Sequence, residues 1–256
     1  MTFPEALHPT TLTCLHVEGL KNLKALNGKG FQHLTCLEEL RIIDCKKLQC
    51  FPGEELPASL MSLHLTLLPK LEDLGKGLLH LISLKELSIE FCENLQCLSE
   101  NGLPASLSSL TISDLANLED IDKGFFQNLI SLEELYIFCC ENLKYSSLEK
   151  ENGNGGLKNL ISLKKLDISS SEKLPSLLEE GLPTSFISLS ISWFQNLRDL
   201  NQMGFQHLNS LEKLEIWCCE NLQSLPDAGL PLSLSYLGIY KCPLLEPRCQ
   251  KGAGSD

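Results

Sequence analysis

The sequence repeats one pattern of apolar residues along almost its whole length. The pattern is L-x-x-L-x-[LIV]-x-x-[C/L]-x-x-L, and its ten copies begin at Leu12, Leu37, Leu60, Leu84, Leu107, Leu132, Leu163, Phe186, Leu211 and Leu234. We number these copies repeats 1 to 10 and the residues within each copy positions 1 to 12. Successive copies start 23 to 25 residues apart, with one interval of 31. Because one such turn cannot bury its leucines alone, successive turns must stack against each other.

This period is typical of leucine-rich repeats. Within each copy, positions 4 and 6 are apolar and alternate with free positions, as in Leu40-x-Ile42 and Leu214-x-Ile216, which predicts a short strand. The predicted fold class is therefore an α/β leucine-rich-repeat solenoid, shaped like a horseshoe. We expect a parallel concave sheet of about ten short strands and a convex side of mostly loops with short helical turns.

The connections between repeats are of two kinds. One contains Gly-Leu-Pro, as at Gly102–Pro104, and is predicted to be extended because proline fixes φ and lacks an amide donor. The other contains Gly-Phe-Gln-His-Leu, with helical spacing of apolar residues, and Phe31 and Phe205 are expected to fill the convex side. The polar, glycine-rich interval between repeats 6 and 7 predicts an irregular loop at 144–158. Residues 1–256 are expected to form a single domain.

Composition and charge exclude several classes of function. The formal net charge is −12, which argues against a surface that binds nucleic acid. The sequence contains no apolar run of about 18 residues, so no membrane span is expected. Residues 1–5 lack the basic and apolar regions of a secretory signal. We therefore expect a cytoplasmic or nucleocytoplasmic protein whose twelve cysteines are reduced thiols.

No catalytic, cofactor-binding or metal-binding residues are predicted. Cysteine recurs at position 9, but that position also accepts Leu20 and Phe194, so it indicates packing rather than metal binding. Histidine recurs in the convex connections, yet Asn128 takes the equivalent place in repeat 6, which favours a hydrogen-bonding role. No nucleophile, base or phosphate-loop spacing is found. The chain is therefore predicted not to be an enzyme and to need no cofactor.

The concave face is the candidate binding surface. Large aromatic side chains at solvent-facing positions are unusual unless a partner covers them. Charged residues such as Glu134, Lys165 and Lys213 are expected to form a mixed polar rim around them. The alternative is that some position-8 side chains fold over the edge of the core. The candidate partner-binding residues are Arg41, Phe91, Tyr136, Phe138, Trp193, Trp217, Tyr236 and Tyr240.

Three strings resemble one known family: residues 37–45, Gly102–Leu107 and the final Cys242-Pro-Leu-Leu-Glu-Pro-Arg-Cys249. They are similar to the C-terminal leucine-rich region of plant coiled-coil, nucleotide-binding, leucine-rich-repeat (CC-NB-LRR) disease-resistance proteins. The resemblance implies the sensor and autoinhibitory region of an intracellular immune receptor. Its partner would be a pathogen effector, a guarded host protein or the receptor's own nucleotide-binding domain.

The coiled-coil and nucleotide-binding modules of that family are not part of this sequence. We therefore expect a fragment or a truncated product of such a receptor. Nucleotide hydrolysis and cell-death signalling are not assigned to this chain. The alternative function is a stand-alone leucine-rich-repeat scaffold, a decoy, or a substrate adaptor in ubiquitin ligation.

Overall fold

The computed structural model describes residues 10–74, 78–98, 102–118, 128–140, 142–143, 157–169, 182–201 and 205–245. Every repeat contributes one strand of five residues, which begins at position 3. The strands are β1 (Cys14–Glu18), β2 (Glu39–Ile43), β3 (Ser62–Thr66), β4 (Glu86–Glu90), β5 (Ser109–Ser113), β6 (Glu134–Phe138), β7 (Lys165–Ser169), β8 (Ser188–Ser192), β9 (Lys213–Trp217) and β10 (Tyr236–Tyr240). The repeat starts deduced from the sequence therefore locate all ten strands.

The ten strands form one parallel sheet whose order is the order of the chain. Pairing is position for position, so that Leu40 lies opposite Leu63 and Ile42 opposite Leu65. The ladder continues before each strand, where the position-2 amide of one repeat donates to the position-2 carbonyl of the preceding repeat. The molecule is a leucine-rich-repeat solenoid, as the periodicity predicted.

The core runs along the inside of the stacked turns. In repeat 5 the side chains at positions 1, 4, 6, 9 and 12 are all fully buried; they are Leu107, Leu110, Ile112, Leu115 and Leu118. Because each pattern position meets the same position of its neighbours, the leucines form continuous rows. This arrangement explains why isolated turns would not fold.

The cysteines at position 9 belong to the same core. Each of their thiols lies 3.2 to 3.6 Å from the carbonyl oxygen two residues earlier and donates to it. Burial raises the pKa of Cys92, Cys140 and Cys219 to about 11. They therefore behave as small apolar residues, as the sequence predicted. The five position-9 cysteines are Cys45, Cys92, Cys140, Cys219 and Cys242.

The connections contain short 3-10 turns at Gly28–Gly30, Gly53–Glu55, Leu157–Asn159 and Phe205–His207. Phe31 and Phe205 are buried beside the first and last of these, as predicted. The glycines that open two of the Gly-Leu-Pro segments, Gly102 and Gly229, have φ of +88° and +86°. A side chain is disfavoured in this left-handed conformation, which explains why glycine stands there.

Serine side chains connect the Pro-x-Ser segments to the preceding turn. Ser106 donates to the carbonyl oxygen of Leu84 at 2.8 Å, across one repeat. The same bond recurs in three other repeats, with lengths of 2.7 to 2.9 Å: Ser59 to Leu37, Ser185 to Leu163 and Ser233 to Leu211. The proline-containing connections are thus held to the neighbouring coil without a helix.

Most of the loop predicted at 144–158 lies outside the described residues, which resume at residue 157. Leu157 is fully buried and begins the 3-10 turn that ends at Asn159. Leu157 therefore supplies an apolar side chain to the core. In the part of the chain that the structure describes, we find no helix whose length and apolar character would let it cross a bilayer.

Candidate functional site: the open face of the sheet

One face of the sheet carries the side chains of positions 3, 5 and 7, and we call it the open face. Positions 4 and 6 point to the core, so burial alternates along most strands, as in β3, β6 and β8. The in-register pairing places side chains of the same position in rows that cross all ten strands. Residues far apart in the sequence therefore become neighbours on this face.

Three aromatic side chains of β9 and β10 form a cluster, which we call the aromatic platform: Trp217, Tyr236 and Tyr240. The rings of Trp217 and Tyr240 stack with their centroids 3.8 Å apart and their planes 18° apart. The hydroxyl groups of Tyr236 and Tyr240 are 2.7 Å apart and share a hydrogen bond. Trp217 and Tyr236 nevertheless remain 37% and 43% exposed. The platform is thus an ordered aromatic surface open to solvent.

Gly238 lies beneath the two tyrosines and is buried by them. A Cβ atom at this residue would lie 2.6 Å from Cε2 of Tyr240 and 3.1 Å from Cε1 of Tyr236. The two rings can approach each other only because position 5 of β10 has no side chain. Gly238 is not among the residues predicted from the sequence, although a glycine between two tyrosines in a strand was the available signal.

Charged groups of β9 complete the surroundings of the platform. Nζ of Lys213 lies 2.8 Å from the carboxylate of Glu215 and 5.4 Å from the centroid of the Tyr236 ring. The lysine thus makes an ion pair and a cation–π contact together. The hydrogen bond with Tyr236 raises the pKa of Tyr240, so the Tyr240 hydroxyl group stays protonated at neutral pH.

A second group on β6 and β7 is the tyrosine–lysine cluster: Glu134, Tyr136, Phe138, Lys165 and Asp167. Nζ of Lys165 donates to the Tyr136 hydroxyl at 2.8 Å, and this hydroxyl donates to Glu134 at 2.9 Å. The rings of Tyr136 and Phe138 have centroids 6.1 Å apart. Burial raises the pKa of Tyr136 and of Asp167, while the bond to Tyr136 raises the pKa of Lys165. The charged residues are therefore part of the cluster rather than a separate rim.

Position 8, directly after the strand, has a left-handed backbone in every repeat in which the structure describes it, which is all but repeat 7. Phe91 and Trp193 have φ of +54° and +62° and are 44% and 53% exposed. These two aromatic side chains therefore do not fold over the core edge, whereas Cys218 at the same position is buried. Left-handed φ costs free energy in non-glycine residues, so the chain displays both rings in a strained conformation.

The candidate residues fall into separate groups in the structure. Trp193 is next to the platform, since its amide donates to the Trp217 carbonyl at 2.9 Å. Phe91 follows β4 and belongs to neither cluster. Arg41 forms an ion pair with Glu39 on β2 and lies between His16 and His64 in the position-5 row. Four strand spacings separate Arg41 from Tyr136, or about 19 Å.

The described residues include no group of three or more His, Cys, Asp or Glu side chains that could hold a metal ion. The open face instead offers aromatic rings, paired charges and hydroxyl groups. Such groups recognise a surface by stacking, cation–π contacts and hydrogen bonds.

Solved structures with this fold are numerous, and two illustrate the likeness. The leucine-rich-repeat domain of the type III effector XCV3220 (XopL) has a TM-score of 0.65 and 22% identity, over 90% of this chain and 78% of that one. The functional domain of InlJ from Listeria monocytogenes, which includes a cysteine ladder, has a TM-score of 0.53 and 16% identity, over 91% of this chain. This chain spans 54% of that InlJ structure.

At these identities the likeness establishes the leucine-rich-repeat fold. No family model matches the sequence. No curated protein matches it either. Evidence for the function of this chain therefore comes from the residues of the open face and from the motifs of the sequence.

Proposed function

We propose that this protein is a non-enzymatic recognition module that binds a protein partner on its open face. The observation that carries the proposal is the aromatic platform, in which stacked Trp217 and Tyr240 are held in place yet remain accessible. Tryptophan and tyrosine are enriched among the residues that dominate binding energy at interfaces. An ordered platform also loses little conformational freedom when a partner binds.

The resemblance to plant CC-NB-LRR receptors supplies the finer part of the proposal. In that setting the module is the sensor and autoinhibitory region of a cytoplasmic immune receptor. Its partner is a pathogen effector, a guarded host protein or the receptor's own nucleotide-binding domain. The motifs that support this assignment are the position-9 cysteines, the Gly-Leu-Pro-x-Ser-Leu segments and the C-terminal Cys242–Cys249 string.

Partner capture with paired variants tests the proposal. The purified chain is immobilised and exposed to a plant cell extract, beside Trp217→Ala with Phe138→Ala and the control Met61→Ser with Leu79→Ser. Met61 and Leu79 are 44% and 42% exposed and lie outside the open face, so the control also removes exposed apolar side chains. We expect proteins retained by the wild type and the control to be lost from the aromatic variant. Equal retention by all three folded proteins would contradict the role of the open face.

A further inference from the structure

A row of exposed apolar residues lies outside the open face, two residues before position 1 of repeats 3 to 7. Ile82, Ile130 and Ile161 are 74%, 52% and 67% exposed, and Ala58 and Ala105 occupy the same place in repeats 3 and 5. We call these five residues the isoleucine ridge. Contacts within the described chain do not bury the three isoleucines as core residues are buried.

The same local structure presents each isoleucine. All three occur in the string Leu-Ile-Ser-Leu, whose leucines are buried. The amide of each isoleucine donates to the carbonyl oxygen two residues earlier, at 2.9 Å, and the acceptors are His80, Asn128 and Asn159. This tight turn directs the isoleucine outwards while the flanking leucines stay in the core. The exposure is therefore a repeated feature of the fold.

The ridge runs over five adjacent repeats and is separate from the aromatic platform. Next to it, the amide of Ser108 donates to the Lys85 carbonyl, and the amide of Glu133 donates to the Ser108 carbonyl, both at 2.8 Å. These bonds keep the turns in register at this edge. Five repeats at a spacing of ~4.8 Å give the ridge a length of about 19 Å. It lies where the chain enters the strands, whereas the exposed aromatic side chains of positions 7 and 8 lie where the strands end.

We infer that two copies of this chain associate through their isoleucine ridges, antiparallel and around a two-fold axis at Ala105. The row is self-complementary about this small residue, because such an axis brings Ile82 opposite the partner's Ile130. One pair of exposed position-2 residues beside the ridge follows the same symmetry. Lys85 and Glu133 are equally distant from the axis, so Lys85 comes opposite the partner's Glu133. The matching charges identify a second copy as the occupant of the ridge.

The dimer is weak. A ridge of about 19 Å offers less surface than the roughly 800 Å² per partner of a standard interface. Glu133 already pairs with Lys164 at 2.8 Å within its own chain. The contact between Lys85 and the partner's Glu133 therefore orients the two copies more than it strengthens their association. We expect a dissociation constant on the order of 10⁻⁴ M, which sedimentation equilibrium can measure.

The test measures self-association of the full chain up to about 500 μM, a range that brackets the expected constant. Wild type should form dimers, and Ile130→Ser should weaken association at least tenfold. Lys85→Glu and Glu133→Lys should each weaken it, and the two together should restore it. The control Leu244→Ser removes another exposed apolar residue, 45% accessible, and should have no effect.

Three outcomes overturn the inference. The first is a wild-type protein that stays monomeric throughout the concentration range. The second is association that is unchanged in Ile130→Ser while its circular dichroism is that of the wild type. The third is failure of the charge exchange to restore association, which would exclude the antiparallel arrangement. In the second case, loss of association in Trp217→Ala, measured in the same way, would assign the contact to the open face.

Discussion

Two leucines at position 4 of different repeats provide a matched test of how the solenoid is stabilised. Leu110 in β5 is fully buried between neighbouring turns, whereas Leu237 in β10 is 41% exposed. The two residues share residue type, strand position and orientation. Replacing each with alanine therefore isolates the contribution of stacking on both sides.

The expected costs follow from burial. Leu110→Ala removes apolar contact and leaves a cavity that the stacked turns cannot close, at a cost of about 3 kcal/mol of unfolding free energy. Leu237 buries roughly 60% of its side chain, so Leu237→Ala loses about 1 kcal/mol of transfer free energy and opens to solvent without forming a cavity. The two variants should therefore differ by about 2 kcal/mol.

Urea denaturation followed by circular dichroism and by tryptophan fluorescence measures both costs. Two probes are needed because repeat proteins can unfold in parts, in which case a single free energy is not defined. Coincident transitions with a larger loss in Leu110→Ala support the reasoning. If Leu237→Ala lowers the free energy of unfolding as much as Leu110→Ala does, then burial between two turns is not the source of stability.

Four further predictions concern individual residues. Gly238→Ala should push the Tyr240 ring off its stacking partner and change the near-ultraviolet circular dichroism, since the new Cβ would lie 2.6 Å from that ring; an unchanged spectrum would contradict this. Leu67→Asn should raise the free energy of unfolding by about 1 kcal/mol, because φ is +58° at this exposed leucine and asparagine tolerates the left-handed region better. A lower melting temperature of the variant would argue against strain at Leu67. Exposed thiols such as Cys14 and Cys36 should react with iodoacetamide at pH 8 much faster than the three buried thiols whose pKa is about 11. Mass spectrometry measures the rates, and equal rates would contradict the burial of these thiols. Because these folded-state pKa values are raised, their contribution to stability is present below pH 9 and is lost as the pH rises towards 11, which denaturation at several pH values can follow. The buried thiols with this pKa are Cys92, Cys140 and Cys219.

The solenoid could be predicted from the sequence because its signal is repeated ten times. One copy, such as Leu84-x-x-Leu87-x-Ile89, would also fit an isolated strand or part of a helix. The constant interval between copies removes this ambiguity, since only stacked turns give every copy the same burial. The strands accordingly begin at position 3 in every repeat.

The left-handed residues at position 8 could not be predicted in the same way. Glycine and aspartate favour this conformation, and Gly19, Asp44 and Asp114 fit that preference. Leu67 and Trp193 do not, yet they adopt it as well. The stacking of neighbouring turns imposes the left-handed backbone at position 8 and overrides the conformational preference of the residue there. A single position of the sequence shows only that preference.

The candidate site was only partly predictable for a related reason. Aromatic residues such as Tyr136 and Trp217 stand out by type and position. Their contacts depend on which strands are neighbours and on the direction of each side chain. The bond from Lys165 to Tyr136, for example, requires that β6 pairs directly with β7 across an interval of 31 residues. The sequence displays that interval as an irregularity and not as a contact.

The direct pairing of β6 with β7 has a consequence for how proteins of this kind diversify. Tyr136 lies opposite Asp167 and Ile137 opposite Ile168, in the same register as in the shorter repeats. The sheet is aligned by its strands and not by the length of the chain between them. Recombination that lengthens one connection can therefore add new surface while neighbouring binding positions keep their spacing. In such a molecule, the length of a loop and the geometry of the recognition face can evolve independently.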